Sequence, residues 1–320
     1  MPDTTLRPDD EGLHAPEAAT GWQENWIFVG LDTASDIGFY VHLGRLPDLD
    51  RYDVKVAVSV GGEVASTSLS RPLEHPAKDD LACAGLEVST LEPFRRWRVR
   101  YDGAGRVGIT DGLLCVDGSG ATVLHLDVVL EALGPPLDMG EGMRLLAEVG
   151  NDGGHYEQGM RWRGTARAGG ATVSAAGLAV RDHSWGVRHL VGVTGVWWAP
   201  MAIAGPEPLQ LGGVRLIAGD QEVPFAFRQD EPGGLVAFRH FAVDIPPADH
   251  DRLWDGTGLQ YGPEGEPGAL SVAARRALRL PIAYPEGWGA PFVSDETLCT
   301  VTLDDGRSGF GIVEWNGPLP

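Results

Sequence analysis

The amino-acid sequence predicts an all-β protein made of two packed, antiparallel, barrel-like halves. Its 45 glycines and 23 prolines supply many points at which the chain can reverse. The segments between these points alternate polar and apolar residues with a period of two, which is typical of strands rather than helices. A chain of 320 residues is long enough for two domains that each bury a core.

The chain divides into three predicted parts. Residues 1–20 are polar and lack apolar periodicity, so we expect a disordered N-terminal tail. Residues 21–150 form the first predicted domain and residues 151–320 the second. The boundary is placed near residue 150 because the segment from Asp138 to Gly154 loses its alternation and gains glycine and acid, which is typical of a connection.

Several strands of the first domain follow from their alternation. In Tyr52–Val60 the valines fall on one face, and a pair of glycines then turns the chain. Trp97–Tyr101 alternates apolar and basic residues before the turn signal Asp102-Gly103. Leu124–Leu130 has an apolar face opposite a polar one, so we expect its outer side to be solvated.

The second domain shows the same kind of pattern. Val301–Leu303 leads to the turn signal Asp305-Gly306, and Phe310–Trp315 follows as the second strand of a predicted hairpin. Val272–Leu278 is the one segment whose pattern also fits a helix. The second half therefore also reads as a succession of short strands.

Composition excludes some partners and compartments. Lys and Arg total 25 against 45 for Asp and Glu, so the formal net charge is -20 and phosphate backbones are repelled. We therefore expect no nucleic-acid partner. The sequence has no apolar run of membrane-spanning length, and its first residues lack the build of a signal peptide. It predicts no stable membrane insertion and a cytoplasmic location.

Motifs for cofactors and metals are missing from the sequence or stand in the wrong context. The run from Gly103 to Gly108 has the spacing of a dinucleotide fingerprint, but Ile109-Thr110-Asp111-Gly112 follows it where a helix should begin, so we predict a β-turn. The chain contains no Gly-Lys-Ser/Thr, His-Glu-x-x-His or Gly-x-Ser-x-Gly motif, and its three cysteines form no Cys-x-x-Cys pair. We predict neither a cofactor nor a metal.

The residues best suited to chemistry include a polar run from Arg181 to Arg188. An extended backbone places His183 and Trp185 on one side of the strand and Asp182 on the other. An imidazole beside an indole suits proton transfer to an apolar substrate, because the indole face stabilises the cation that develops. We predict Asp182, His183 and Trp185 as catalytic residues, with Asp182 or His183 as the proton donor.

Six further side chains are predicted to line the substrate site: His155, Tyr156, Glu157, Arg188, Trp197 and Trp198. The two tryptophans are adjacent, so only one of them can face inward from a regular strand. Histidine and carboxylate side chains also bind metals, but those in the two stretches match no tight ligand spacing. Arg181, Asp182 and Arg188 have a structural alternative, because they can form an ion-paired corner that holds the two halves together.

These residues resemble the carotenoid 1,2-hydratase (hydroxyneurosporene synthase, CrtC) and AttH-like superfamily. The likeness rests on Trp22-x-x-x-Trp26 with Tyr40-Val41-His42, on His155-Tyr156-Glu157-Gln158, and on Gly177-x-x-x-Arg181-Asp182-His183-Ser184-Trp185-Gly186-x-Arg188. It implies two lipocalin-like β domains packed together. It also implies that His183 and Trp185 correspond to the His-x-Trp pair of the hydratases. The hydratases use a downstream tyrosine and aspartate as well, and the corresponding stretch here, Leu211–Val223, offers Asp220 without a neighbouring tyrosine.

Residues and resemblance together predict a cofactor-independent enzyme with a hydrophobic, unsaturated substrate of terpenoid or polyketide type. Acid-base chemistry would hydrate, dehydrate, isomerise or cyclise this small molecule between the halves, which requires a buried acid with a raised pKa. Two alternatives stay open. One is a non-catalytic carrier of an apolar ligand, and the other is a pericyclic cyclase of the Diels-Alderase type.

Overall fold

The computed structural model describes residues 6–17, 20–73, 81–107, 109–110, 113–114, 120–140, 151–188, 192–229, 235–238, 240–243, 257–261, 268–282 and 292–318. Its regular elements are β-strands and two short 3-10 helices, Pro8–Glu11 and Pro47–Leu49. The predicted all-β class, with two bodies of antiparallel sheet, is confirmed. The described residues contain no helix with the length and apolar character that a membrane span requires.

The first sheet contains 11 strands within the described residues. They are β1 (Trp22–Asp32), β2 (Ile37–Leu46), β3 (Arg51–Val60), β4 (Glu63–Pro72), β5 (Leu81–Cys83), β6 (Leu86–Glu92), β7 (Arg96–Val107), β10 (Gly120–Ala132), β11 (Leu137–Asp138), β12 (Asn151–Ala168) and β13 (Val173–Arg188). Strand β10 pairs with β7 as well as with β12, which closes the path β10-β12-β13-β1-β2-β3-β4-β7 into a barrel.

The second sheet contains 12 strands within the described residues. They are β8 (Ile109–Thr110), β9 (Leu113–Leu114), β14 (Val193–Trp198), β15 (Met201–Ile203), β16 (Leu209–Ala218), β17 (Gln221–Gln229), β18 (Leu235–Phe238), β19 (Phe241–Val243), β20 (Thr257–Tyr261), β21 (Gly268–Ile282), β22 (Phe292–Leu303) and β23 (Ser308–Pro318). The main path runs β18-β17-β16-β14-β23-β22-β21-β20-β19. Its predicted hairpin around Asp305-Gly306 is present between β22 and β23.

Three apolar clusters hold these sheets together. One fills the first barrel and contains Trp26, Trp97 and Trp162, and another lies within the second sheet. The cluster between the sheets combines Val29 and Tyr40 of the first sheet with residues such as Phe310 and Trp198 of the second. Strands β1, β2 and β13 are therefore buried on both faces along much of their length, which removes the alternation that an outer strand shows.

The predicted boundary near residue 150 lies beside β12, which belongs to the first sheet. The short strands β8 and β9 join the second sheet between β7 and β10, and the chain passes to the main path of the second sheet between Arg188 and Val193. The glycines that suggested a connection have a packing role in this strand. A Cβ atom at Gly154 would lie 2.1 Å from the indole of Trp185, so only glycine leaves room for that ring. The number of independent folding units stays a prediction.

Three local expectations differ from the structure. Strand β7 continues through Asp102-Gly103 to Val107 instead of turning, and Gly103 makes room for the ring of Tyr101. Val272–Leu278 lies within strand β21 and is not helical. Residues 6–17 of the predicted disordered tail follow a defined path, and Glu11 is 5% exposed because it is bound by groups inside the barrel.

Close approach of strand backbones makes Gly177 of β13 sensitive to any side chain. A Cβ atom there would lie 2.2 Å from the carbonyl oxygen of Leu31, and backbone cannot rotate away as a side chain can. We expect Gly177→Ala to lower the free energy of unfolding by about 1–3 kcal/mol. Gly120→Ala is the matched control, because no atom of the described residues beyond its chain neighbours lies within 4 Å of its added Cβ. Equal denaturant midpoints for the two variants would contradict this packing argument.

Candidate active site

The register of three neighbouring strands brings the predicted site residues together. Tyr156 of β12 and Trp26 of β1 both lie opposite His183 of β13. Glu157 lies opposite Asp182 in the same ladder. Successive side chains point to opposite faces of these strands, so the residues separate into two clusters, as the alternation predicts for His183 and Asp182.

The His183 cluster consists of His183, Glu24, His14 and Tyr156 and lies on the barrel side of the strands. His183 is fully buried, with Nε2 3.2 Å from Glu24 Oε1 and Nδ1 3.1 Å from the hydroxyl of Tyr156. His14 places Nδ1 2.7 Å from the same carboxylate oxygen, and Arg45 pairs with the other oxygen at 3.2 Å. Both ring nitrogens of His183 are thus already bonded.

Aromatic rings enclose the His183 cluster. The ring of Trp26 stacks on His183 with centroids 4.6 Å apart, and Trp185 stacks on His14 at 3.8 Å. Burial lowers the pKa of His183, and the bond to Glu24 only partly opposes it. Burial also acts to raise the pKa of Glu24, but its bonds to His14 and His183 prevail and the net shift is downward. This cluster is rigid and is held by its own bonds.

The N-terminal segment joins the barrel through one buried ion pair. Glu11 accepts hydrogen bonds from Arg181 at 2.9 Å, from the indole of Trp97 at 2.8 Å and from the backbone of Phe94 at 3.0 Å. The guanidinium of Arg181 lies over the ring of Trp97, 3.9 Å from its centroid. Arg181 therefore anchors this segment through its ion pair with Glu11. It does not pair with Asp182, as the alternative of an ion-paired corner with Asp182 and Arg188 predicted.

The His155 cluster consists of His155, Glu157 and Asp182 and lies on the opposite face, between the two sheets. The imidazole Nε2 of His155 bonds to Asp182 Oδ2 and lies 3.6 Å from Glu157 Oε1. The indole of Trp198, from the second sheet, donates to the same oxygen of Glu157 at 2.7 Å. The second oxygen of Glu157 is buried and has no hydrogen-bond partner among the described residues. The cluster thus contains unused acceptor capacity.

Burial and nearby charges shift the pKa values of the His155 cluster in opposite directions. Burial raises the pKa of Glu157 to about 7, against the attraction of His155 and the bond from Trp198. Burial alone would lower the pKa of His155, but Asp182 and Glu157 outweigh it, so the net shift is upward. The cluster therefore holds a proton that can exchange close to neutral pH.

A cavity of about 470 Å³ opens beside this cluster. Its lining includes His155, Trp185 and Asp138, together with Leu6, Arg7 and Asp10 from the N-terminal segment. Glycines 153 and 154 form part of the wall, so the strand backbone itself is accessible there. His155 is the one member of its cluster in this lining, which includes neither Asp182 nor Glu157.

Two groups of side chains have the geometry of metal ligands. The donor atoms of His155, Glu157 and Asp182 all lie within 4.8 Å of one another, and so do those of His14, Glu24 and His183. In the second group Arg45 already pairs with Glu24. In the first group the ion pair of His155 with Asp182 balances one carboxylate charge. His155 and Glu157 lie two residues apart on β12, but Asp182 comes from β13, and the second group joins the N-terminal segment to β1 and β13, so neither group shows a tight ligand spacing in the sequence.

The remaining residues singled out in the sequence differ in whether they reach one of the two clusters. Trp198 reaches the His155 cluster, whereas Trp197 faces the core of the second sheet and packs against Trp315 with centroids 4.7 Å apart. Arg188 is close enough to oppose the protonation of His155. Asp220 is exposed, in the turn between β16 and β17, and contributes to neither cluster.

Sequence reasoning missed Glu11, His14 and Glu24. Glu24 lies in a strand that is buried on both faces, and a lone carboxylate there gives no local signal. Glu11 and His14 lie in a segment whose composition suggests disorder, and Glu11 is separated from Arg181 by 170 residues. A contact of this kind has no counterpart in a periodic pattern.

Two solved structures share the fold of this chain. An AttH-like protein from Nitrosomonas europaea has a TM-score of 0.70 at 17% identity, covering 100% of this chain and 99% of that chain. Kievitone hydratase from Nectria haematococca has a TM-score of 0.57 at 12% identity, covering 93% of this chain and 89% of that chain. The fold that the predicted resemblance implies is shared with both structures.

The sequence also matches a family model, described as "Domain of unknown function (DUF7064)", over residues 7–319. This match spans most of the chain, so the protein belongs to that family. No curated protein matches the sequence of this chain. Because likeness at such low identity shows the fold alone, the activity has to be argued from the site.

Removal of the charge on Glu11 tests the buried anchor. Glu11→Gln leaves Arg181 buried without an anion, so we expect the free energy of unfolding to fall by about 3 kcal/mol. Asp127→Asn is the matched control, because it removes one charge from the exposed pair with Arg98 and should cost much less. If urea denaturation showed a similar loss in the free energy of unfolding for both variants, the buried pair of Glu11 with Arg181 would contribute no more than an exposed pair.

The raised pKa of Glu157 predicts a pH-dependent stability. Between its ordinary value of 4.5 and about 7, the folded protein binds a proton at Glu157 that the unfolded chain has released. The contribution of this residue to stability is therefore present below about pH 4.5 and is lost as pH rises through about 7. At about 1.4 kcal/mol per pKa unit, the loss is about 3 kcal/mol. Glu157→Gln should show a correspondingly flatter pH profile, and parallel profiles would contradict the assignment.

Proposed function

We propose that the protein is a hydratase-like enzyme that adds water to, or removes it from, an apolar unsaturated substrate of terpenoid or polyketide type. The observation that carries this proposal is the buried carboxyl group of Glu157, with a pKa of about 7, beside a histidine that lines a cavity. Acid-base catalysis is most effective when the pKa of the catalytic group lies near the working pH. A carboxylic acid that stays protonated near neutral pH is the acid that protonation of an alkene requires.

The proposed reaction uses the His155 cluster as both acid and base. Asp182 occupies Nε2 of His155, so the proposed reaction uses Nδ1 as the ring nitrogen that exchanges a proton with the ligand. The imidazolium gives its proton to one carbon of the double bond, and water adds through its oxygen to the cation at the other carbon. The added water then releases one proton to the cluster, which returns to its starting state. Glu157 either stores this released proton or supplies the proton that restores the imidazolium of His155.

Other predicted site residues take supporting roles in this proposal. Trp185 lines the cavity and offers aromatic surface to the developing cation. Trp198 orients Glu157 through its indole N–H. His183 we place among the positioning residues, because Glu24 and Tyr156 already bind both of its nitrogens. Asp182 remains a catalytic candidate as the partner of His155.

One structural neighbour supports addition of water. Kievitone hydratase shares the fold, and the sequence resemblance to the carotenoid 1,2-hydratases points in the same direction. Addition of water leaves the oxidation state of the substrate unchanged overall, so proton transfer alone accounts for the chemistry and the proposal invokes no cofactor. The specific carotenoid reaction is not part of the proposal, because the downstream Asp220 lies far along the chain in an exposed turn.

A substrate screen tests the proposal. The protein would be incubated with prenyl alcohols, terpenes, steroids and polyketide-like dienes in water enriched in heavy oxygen, and the products analysed by mass spectrometry. A product that gains one labelled water, or loses one water, supports the hydratase. A product of unchanged mass would replace it with the cyclase or isomerase alternative, and a bound ligand recovered unaltered would replace it with the carrier.

Isosteric replacement of Glu157 separates its acid role from its packing. On a substrate found by the screen, Glu157→Gln should lower kcat by about 100-fold or more, because the exchangeable proton is lost. The wild-type kcat/KM should fall as pH rises through about 7. Glu296→Gln is the matched control, because Glu296 is a buried glutamate outside the His155 cluster whose pKa is also raised by burial. Equal losses in both variants would remove Glu157 from the mechanism.

A further inference from the structure

The His183 cluster contains a set of ligand atoms that the proposed reaction does not use. Donor atoms of His14, Glu24 and His183 lie within 4.8 Å of one another. His183 and Glu24 have no exposed side-chain surface, and 19% of the His14 side chain is exposed. The three residues come from the N-terminal segment, β1 and β13, so they meet only in the folded barrel. Two imidazoles and one carboxylate are a donor set that suits zinc.

The spacing of these atoms is close to the spacing that a zinc ion imposes. Glu24 Oε1 lies 2.7 Å from His14 Nδ1 and 3.2 Å from His183 Nε2. Zinc binds imidazole nitrogen and carboxylate oxygen at about 2.0–2.2 Å in tetrahedral geometry, so adjacent ligand atoms lie about 3.3 Å apart. Small movements of the side chains would therefore admit the ion. The Irving–Williams order favours zinc over manganese and iron at such a site.

The ring of His14 lies between two carboxylates, which a neutral imidazole cannot satisfy together. Its Nε2 is buried, has no hydrogen-bond partner among the described residues and lies 3.5 Å from Asp10 Oδ1. With the proton on Nδ1, the ring bonds to Glu24 but turns the lone pair of Nε2 toward Asp10. With the proton on Nε2, the lone pair of Nδ1 instead meets the oxygen of Glu24 at 2.7 Å. A zinc ion bound by Nδ1 and Glu24 Oε1 satisfies both sides of the ring.

Both histidines have an outer partner of the kind that metal ligands require. Ligating histidines almost always donate their other ring N–H to an oxygen acceptor, which fixes the tautomer. Asp10 offers this acceptor to His14, and the hydroxyl of Tyr156, 3.1 Å from Nδ1, offers it to His183. The nitrogens that face Glu24 are then free to bind a metal.

Arg45 opposes a cation at this site, but its position leaves a ligand atom available. It pairs with Oε2 of Glu24 at 3.2 Å, whereas both imidazoles face Oε1. The backbone N–H of His14 donates to Oε1 at 3.0 Å, and this oxygen has a second lone pair for the ion. The carboxylates of Glu24 and Asp10 outnumber the single guanidinium. Arg45 therefore orients Glu24 without excluding zinc.

We propose that His14, Glu24 and His183 bind one zinc ion, which fastens residues 6–17 to the barrel. Three protein ligands leave the fourth position of a tetrahedral ion to a water molecule, on the exposed side of His14. Zinc binding adds its free energy to folding, because the unfolded chain does not hold the three ligands together. The site does not depend on the proposed hydratase activity, since it includes no member of the His155 cluster.

Isothermal titration with zinc chloride tests the proposal on the untagged, full-length chain, after treatment with a chelator and its removal. We expect one zinc ion to bind per chain. Loss of an outer partner of a metal ligand typically costs about 10–100-fold in affinity, so Asp10→Asn should weaken binding by about tenfold and His14→Gln by about 100-fold or more. His125→Gln is the matched control, because His125 also pairs with a carboxylate, Asp102 at 2.6 Å, but lies outside the cluster.

Thermal unfolding gives a second readout that needs no substrate. Zinc should raise the melting temperature of the wild type in a concentration-dependent way, because it binds the folded chain in preference to the unfolded one. The rise should be absent from His14→Gln and retained in His125→Gln.

Several results would overturn the proposal. They are no binding of zinc, undiminished binding in His14→Gln, or a loss of binding in His155→Gln, which would place the ion in the His155 cluster. Without zinc binding, a protonated His14 that donates to both carboxylates would account for its contacts. Circular dichroism of each variant shows whether a loss of binding reflects a loss of fold, and Asp10→Asn supplies an independent variant that leaves the three ligands in place.

Discussion

Burial of both faces of the central strands is the constraint on which the rest of the structure depends. From Ala179 to Ser184, strand β13 has the barrel core on one side and the second sheet on the other, so each polar side chain there must find a partner inside the protein. Arg181 finds Glu11, His183 finds Glu24, and Asp182 finds His155. The clusters at the site follow from this requirement, because an unpaired charge at any of these positions would cost several kcal/mol.

The partners come from different parts of the chain, which ties the fold to the site. Glu11 belongs to the N-terminal segment, Glu24 to β1 and His155 to β12, so formation of the site requires all three to be in place. The same segment that carries Glu11 also forms part of the cavity wall beside His155. A change in the packing of residues 6–17 would therefore alter the proposed substrate site as well as stability.

Alternation predicted strands whose sequence is periodic on one face, and it failed where a pair of glycines lies within a strand. Leu124–Leu130 and Tyr52–Val60 were placed correctly, because one side of each has a simple periodic pattern. The Gly153-Gly154 pair was taken for a connection, although these glycines lie in a strand and leave room for Trp185. The opposite faces of His183 and Asp182 followed from the period of two. Their partners did not, since pairing between distant strands depends on register that no short motif records.

His155 and His183 have similar sequence contexts but opposite pKa shifts. This difference supports His155 as the residue that transfers the proton. His183 and His155 both stand on central strands beside acidic and aromatic residues. Burial lowers the pKa of His183, and its nitrogens are both bonded, whereas two carboxylates raise the pKa of His155 on the wall of a cavity. Groups whose surroundings push their pKa values apart are suited to different tasks. In our proposal His183 holds the barrel side of the ladder in position, and the proton moves through His155.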